Sequence, residues 1–88
     1  MAVAAQDIEA ALRRMLDPES LHVEDDSHLH AGHAGARDGG HYTVRILSAK
    51  FTGLSRVARH RLIYDALSDL IPRGVHALAI EARAPGDS

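Results

Sequence analysis

The spacing of apolar residues switches between helical and alternating periods along this 88-residue chain, and the order of these segments restricts the possible folds. Amphipathic helices repeat their apolar side chains every three or four residues, whereas half-buried strands alternate apolar and polar side chains. The spacing predicts a helix over residues 4–16, strands over 20–25 and 41–48, a second helix from Ser55 to Pro72 and a third strand over 75–82. The predicted order is therefore α-β-β-α-β.

The connections between these segments predict how the strands pair. A loop over residues 26–40 joins the first two strands, which we expect to pair antiparallel. The second strand, second helix and third strand form a βαβ unit, whose strands lie parallel and whose crossover is right-handed. We therefore expect an α/β chain of the α+β type, with a three-stranded mixed sheet and helices on one face. A single domain over residues 1–88, with its core within about 6–85, accommodates all five segments.

The composition limits the classes of partner and chemistry. Hydrophobic residues make up 45% of the chain, which is enough for one modest core. No apolar run approaches the roughly 20 residues needed to span a bilayer, so we expect a cytoplasmic protein outside the membrane. The net charge of −2 argues against a partner held mainly by phosphate neutralisation. The chain has no cysteine and can supply neither a disulfide nor a thiolate.

Three histidines lie within six positions of the loop between the first two strands: His28, His30 and His33. The predicted topology places this loop at the end of the sheet where the third strand begins, next to His76. Imidazole is the most common metal-binding side chain at neutral pH, so these rings could together supply two or three ligands. They would also suffice for a self-contained zinc site, since a catalytic zinc needs three protein ligands and an open position.

The remaining histidines are predicted to have structural or surface positions. On a helical wheel, one face of the second helix collects His60, Ile63, Tyr64, Leu67, Leu70 and Ile71. We therefore expect His60 to be buried with a local hydrogen bond. His76 also has a structural interpretation, because strand alternation places it on the same face as Leu78 and Ile80. His22 and His41 are expected at the surface, the latter bordering the loop and able to assist there.

Basic residues gather near the start of the second helix: Lys50, Arg56, Arg59 and Arg61. They fit a solvated face balanced by nearby acids. They also fit an edge that contacts an anion or a docking partner, because a helix N-terminus attracts negative charge. A DNA-binding regulator that uses the second helix is an alternative that depends on these same cations.

Three stretches of the sequence resemble the BolA family: HVEDDSHLHAGH, HYTVRILSAKFTGLSRVARHRLIYDAL and VHALAIEARAP. The resemblance covers essentially residues 6–85, and FTGLSRVARHRLIYDAL followed by VHALAI is its most specific part. It implies an α-β-β-α-β fold similar to a class II KH domain, in agreement with the order predicted from the spacing. The GxxG loop of KH domains is not matched, because AKFTGLSR contains only Gly53, and this argues against RNA binding by the KH mode.

The resemblance implies a non-enzymatic partner of a monothiol glutaredoxin, with a [2Fe-2S] cluster shared between them. The glutaredoxin then contributes its active-site cysteine, and its bound glutathione contributes a second thiolate. In this sequence the strand ligand corresponds to His76. The loop ligand in this family is His or Cys, and the best match here is His30, with His33 and His28 as alternates. Two histidines on one iron also occur in Rieske centres.

The resemblance thus implies an iron–sulfur adaptor in cluster trafficking or iron homeostasis, acting as a heterodimer with the glutaredoxin. BolA-like proteins also include DNA-binding transcriptional regulators, and weak DNA binding through the second helix is the corresponding alternative. A homodimer of the isolated chain is compatible with the sequence.

Overall fold

Three strands form one mixed sheet, and helices cover one of its faces, in a computed structural model that describes residues 3–26 and 40–87. The elements are α1 (Ala5–Leu16), β1 (Ser20–Asp25), β2 (Gly40–Leu47), a 3-10 turn (Ala49–Phe51), α2 (Arg56–Ala66), α3 (Ile71–Gly74) and β3 (Val75–Arg83). The central strand β2 pairs antiparallel with β1 and parallel with β3. The predicted mixed sheet and its strand directions are confirmed.

Strand alternation in β2 forms the centre of the core. Tyr42, Val44 and Ile46 are buried, as their spacing predicts, while Arg45 between them is exposed. Other buried apolar side chains come from α1, the 3-10 turn, and α2 with its C-cap: Ile8, Ala11, Leu12, Leu16, Phe51, Ile63 and Leu67. The opposite face of the sheet carries the polar residues of the alternation, and it is the face on which the candidate site lies.

Two buried hydrogen bonds fix α1 along β2. Near the start of β2, the Tyr42 hydroxyl donates to the carbonyl of Val3, just before the helix. Directly after β2, the hydroxyl of the fully buried Ser48 donates to the carbonyl of Leu16 at 2.6 Å. Buried polar groups need such partners, and here the partners tie both ends of α1 to one strand.

The second helical segment is shorter than its spacing predicts. The Ser55 hydroxyl accepts a hydrogen bond from the Ala58 N–H at 3.1 Å, which confirms the predicted N-cap of α2. The helix ends at Ala66, however, and the separate helix α3 carries Pro72 in its first turn. A proline within a continuous helix lacks its N–H and clashes with the preceding turn, so the chain breaks upstream of it. The prediction of one helix reaching Pro72 is therefore wrong.

The buried face of α2 is rotated relative to the predicted one. It consists of Leu62, Ile63 and Ala66, and Leu67 continues it directly after the helix. Tyr64, predicted on this face, is 43% exposed, and His60 is half-buried rather than buried, so both predictions are wrong. The reason is tertiary: α1 lies beside the Ala66 side of α2, and its packing decides which flank of the helix is covered.

The helices are short. α1 has 12 residues and α2 has 11, while α3 is a single turn of 4 residues. Within residues 3–26 and 40–87, no helix combines the length and apolar character needed to cross a bilayer.

Candidate functional site

A β-bulge at the start of β3 decides the direction of His76. Gly40 pairs with Val75, but the next residue of β2, His41, pairs with Ala77. His76 is therefore the extra residue of the bulge. Bulges of this kind bend the strand and redirect a side chain, and they occur often beside functional sites.

The bulge turns His76 towards solvent. Its side chain is exposed, whereas Leu78 and Ile80 are half-buried and pack against the core. The prediction that these three residues share a face is wrong, because one extra residue shifts the phase of a period-two alternation. An imidazole on the solvent side of the sheet can bind a metal centre that a second protein carries.

The exposed imidazole of His76 lies beside that of His41. The ring centroids are 5.2 Å apart and the ring planes are inclined by 55°. Spacing alone places His41 at the surface beside the loop, and only the pairing of β2 with β3 brings it against His76. The sequence contains one signal for this contact. His41 follows the first residue of β2, and β2 is expected to run parallel to β3, so the first residues of the two strands should lie side by side.

The three loop histidines that the sequence singles out fall outside the described residues: His28, His30 and His33. The two residues that flank this segment are described. The Asp26 N–H donates to the His41 carbonyl at 2.7 Å, and Gly40 pairs with Val75. Both flanking residues lie at the end of the sheet where β3 begins, as the topology predicts.

The ring of Tyr42 supports the start of β2 from the core side. It lies so close to Gly40 that a Cβ there would come within 2.5 Å of the Tyr42 hydroxyl oxygen and 2.6 Å of two ring carbons. Burial raises the pKa of Tyr42, and the carboxylates of Asp25 and Asp7 raise that pKa further. The phenol therefore stays a neutral donor beneath the backbone that presents His41.

The described part of the chain supplies an incomplete set of metal ligands. Within residues 3–26 and 40–87, no group of three or more His, Cys, Asp or Glu side chains could hold a metal ion. The pair of His41 and His76 offers at most two nitrogen donors. A metal centre at this place would therefore need further ligands from outside the described residues, as two thiolates accompany the two histidines in Rieske centres. A self-contained zinc site would depend on the loop histidines.

Arg59, one of the four cations predicted at the basic edge, makes its hydrogen bonds within the fold. Only 15% of its side chain is exposed. It donates to the carbonyls of Leu54 and Ala82, at 3.0 and 3.2 Å, and to the Asp87 carboxylate at 2.6 Å. The Arg59 side chain and, next, the Ala84 N–H lower the pKa of Asp87 by hydrogen bonding its carboxylate. Arg59 therefore fastens the start of α2 to the end of β3.

The other three predicted cations, Lys50, Arg56 and Arg61, are exposed near the start of α2. This basic edge is close to the end of β3, because Arg59 of the same helix turn contacts Ala82. Ala82 lies six positions after His76, or about 20 Å along the strand. The imidazole pair and the basic edge are therefore distinct surfaces.

The chain matches known proteins over most of its length. The BolA family, described as BolA-like protein, matches residues 12–87. SufE-like protein 1 of Arabidopsis thaliana is 49% identical over 86 residues, which are 91% of this chain and 23% of that protein. The protein named DNA-binding transcriptional regulator BolA in Haemophilus influenzae is 34% identical over 80 residues, which are 91% of this chain and 76% of that protein.

The fold also matches solved structures. The BolA domain of SufE1 from Arabidopsis thaliana has a TM-score of 0.84 at 45% identity, covering 99% of this chain and 100% of that chain. This chain spans less than a quarter of SufE-like protein 1, so the likeness concerns one domain of that protein. Because the family match and the structural match both take in most of the residues, this chain belongs to the BolA-like family.

Proposed function

We propose that this chain is a non-enzymatic iron–sulfur adaptor, which shares a [2Fe-2S] cluster with a monothiol glutaredoxin in cluster trafficking or iron homeostasis. The observation that carries the proposal is the position of His76. Its exposed imidazole lies beside His41, at the end of the sheet that also holds both flanks of the histidine-rich loop. In this proposal the two proteins form a cytoplasmic heterodimer.

The ligand chemistry supports a shared cluster. A [2Fe-2S] cluster takes four ligands, and a chain without cysteine can offer no thiolate to it. In the proposal His76 is one ligand and a loop histidine is the second, with His30 preferred over His33 and His28. The glutaredoxin cysteine and its bound glutathione supply two thiolates. Two imidazoles on one iron raise the potential of such a cluster relative to four thiolates.

We assign His41 a positioning role in this site. Its ring is held at the start of β2, in contact distance of the His76 ring but on a different strand. Residues beside a metal-binding imidazole fix its orientation and limit the access of water. His41 would thereby restrict the rotamers of a ligand that otherwise projects from an exposed bulge.

Anaerobic co-purification with a monothiol glutaredoxin, followed by absorption and visible circular dichroism, tests the proposal. We expect one cluster per heterodimer and a colourless, iron-free chain when the partner is absent, because two ligands are then missing. The matched control is the same glutaredoxin without its active-site cysteine, which should give no cluster. A stable cluster in the isolated chain would contradict the shared site, and tight stoichiometric zinc there would favour the zinc alternative.

A DNA-binding regulator is the second candidate, favoured by the name of the Haemophilus influenzae relative. Its surface would be the exposed cations Lys50, Arg56 and Arg61, although the net charge of −2 opposes strong phosphate binding. We expect at most weak, non-specific binding that falls steeply with salt and weakens in Arg56→Ala and Arg61→Ala. Sequence-selective, sub-micromolar binding at physiological salt would make this the principal function.

A further inference from the structure

One edge of the sheet is formed by β3, and the hydrogen bonds of its end define which backbone groups face outwards. The Ser48 N–H, at the end of β2, donates to the Arg83 carbonyl at 3.0 Å, so Arg83 faces β2. Backbone groups of successive strand residues point to opposite sides. The N–H and C=O groups of Leu78, Ile80 and Ala82 therefore point away from β2, to the outer edge.

One of these three residues has a hydrogen-bond partner at the outer edge. The Ala82 carbonyl accepts a hydrogen bond from the Arg59 guanidinium at 3.2 Å. For Leu78 and Ile80, no backbone partner lies on this side among residues 3–26 and 40–87. Beside the strand runs an open groove of about 390 Å³, bounded by Ile80, Ala82 and the start of α2.

Among the described residues, the open part of the edge carries none of the features that keep another strand away. Exposed edges are usually protected by charged side chains, by proline or by a bulge at the exposed position. Residues 77–80 are Ala-Leu-Ala-Ile, without charge or proline, and the bulge lies before them. On the solvent face Ala77 and Ala79 are exposed and small, so a second strand can approach closely.

We propose that β3 pairs with β3 of a second copy of this chain, antiparallel and about a two-fold axis at Ala79, to form a continuous six-stranded sheet. The register follows from the open groups. Leu78 and Ile80 are the residues free to pair, and their reciprocal pairing places Leu78 of one copy opposite Ile80 of the other. Ala79 then faces Ala79. A register shifted towards the strand end would require the Ala82 carbonyl, which Arg59 occupies.

The side chains along β3 place no like charges opposite each other in this arrangement. The solvent face carries the imidazole pair of His41 and His76 at the start of the strand and the carboxylate of Glu81 near its end. Antiparallel pairing places Glu81 of each copy opposite Ala77 of the other, whose neighbour on β2 is His41. The ion pair of Glu81 with Arg45 spans 3.7 Å with both side chains more than half exposed, so Glu81 stays accessible. The carboxylate of Glu81 thus lies opposite a small neutral side chain, and no like charges face each other along the paired strands.

Single cysteines introduced into this cysteine-free chain test the register. Directly opposed residues of a non-hydrogen-bonded antiparallel pair have Cα atoms about 4.5 Å apart, within the range of a disulfide. Ala79→Cys should therefore form a covalent dimer rapidly under mild oxidation of the full chain. Ala77→Cys is the matched control, because it changes the same residue type on the same exposed face. Its copies would lie roughly 13 Å apart in the dimer.

Charge substitutions at the same two positions provide a second measurement, by sedimentation equilibrium of the reduced chain. Ala79→Lys places two like charges on the axis and should raise the dimer dissociation constant several-fold. Ala77→Lys faces Glu81 of the other copy and should leave that constant unchanged or lower it. Equal disulfide rates for the two cysteine variants, or an unmodified chain that stays monomeric up to millimolar concentration, would overturn the proposal.

Discussion

The imidazole rings of His41 and His76 lie 5.2 Å apart between centroids, although 34 residues separate them in the sequence. The parallel pairing of β2 with β3 makes the two strand starts level, and the bulge at His76 turns its ring to the solvent face on which His41 lies. Neither residue alone would mark this end of the sheet as a site. Because the two rings have different roles in the proposed site, substitution of each should affect the cluster to a different degree.

Replacement of His76 and of His41 should affect the glutaredoxin complex to different degrees. His76→Ala removes a ligand fixed by the sheet, and we expect the visible circular dichroism of the His-ligated cluster to disappear. His41→Ala removes only a neighbour that orients the ligand, and the cluster should bind about tenfold more weakly. His22→Ala is the control, because His22 is exposed on β1, away from this end. A wild-type spectrum from His76→Ala would contradict the proposed site.

Arg59 should contribute to stability more than its basic neighbours. Arg59→Ala leaves the carbonyls of Leu54 and Ala82 without their side-chain donor, and we expect the free energy of unfolding to fall by about 1–3 kcal/mol. Arg61→Ala at an exposed position should change it by no more than about 0.5 kcal/mol. Urea denaturation of both variants checks the difference. Equal losses would mean that the internal contacts of Arg59 contribute little.

The Asp87 carboxylate should make the end of β3 sensitive to acid. Its pKa is lowered by the Arg59 side chain and the Ala84 N–H, so its stabilising contribution is present above the unfolded pKa of about 3.9. That contribution is lost as pH falls through the lower pKa of the folded state. Asp87→Asn should therefore flatten the dependence of unfolding free energy on pH in the acid range. An unchanged acid dependence would count against this ion pair.

Ionisation of Tyr42 should lower the stability of the fold at alkaline pH. Because its folded-state pKa is raised, mainly by burial, its contribution is complete below the unfolded pKa of about 10 and is lost as pH rises through the folded value. Tyr42→Phe should abolish this alkaline loss. At neutral pH it should cost about 1–2 kcal/mol, since the Val3 carbonyl loses its donor. Tyr64→Phe, at an exposed tyrosine, is the control. The measurement is thermal unfolding across the alkaline range.

A side chain at position 40 should destabilise the fold while Tyr42 is in place. A Cβ at this position would lie 2.5 Å from the Tyr42 hydroxyl oxygen, so Gly40→Ala must displace the ring or the strand. We expect a loss of about 1–3 kcal/mol in unfolding free energy. In the background of Tyr42→Leu the same substitution should cost less, because the smaller side chain leaves room. Additive losses in a double-mutant cycle would show that the ring is not the obstacle.

The sequence by itself determined the order of elements, the strand directions and the end of the sheet at which His76 and both flanks of the histidine-rich loop lie. Local periodicity and chain connectivity suffice for these features, because a half-buried strand must alternate and a βαβ crossover has one hand. The N-cap at Ser55 was equally readable, since its hydroxyl acts on a backbone N–H three residues away.

Only the tertiary structure decided the features that depend on residues distant in sequence. The bulge that exposes His76 arises from the pairing of β3 with β2, and no local pattern in residues 75–83 marks it. The burial of Arg59 depends on carbonyl and carboxylate groups that the chain brings back 23 and 28 residues later. Because α1 covers one flank of α2, it decides which side of that helix is buried, and Tyr64 lies on the exposed side. The spacing of apolar residues depends on one segment alone, whereas strand register and helix packing depend on two segments. Spacing therefore predicted the elements but not the faces that form the site.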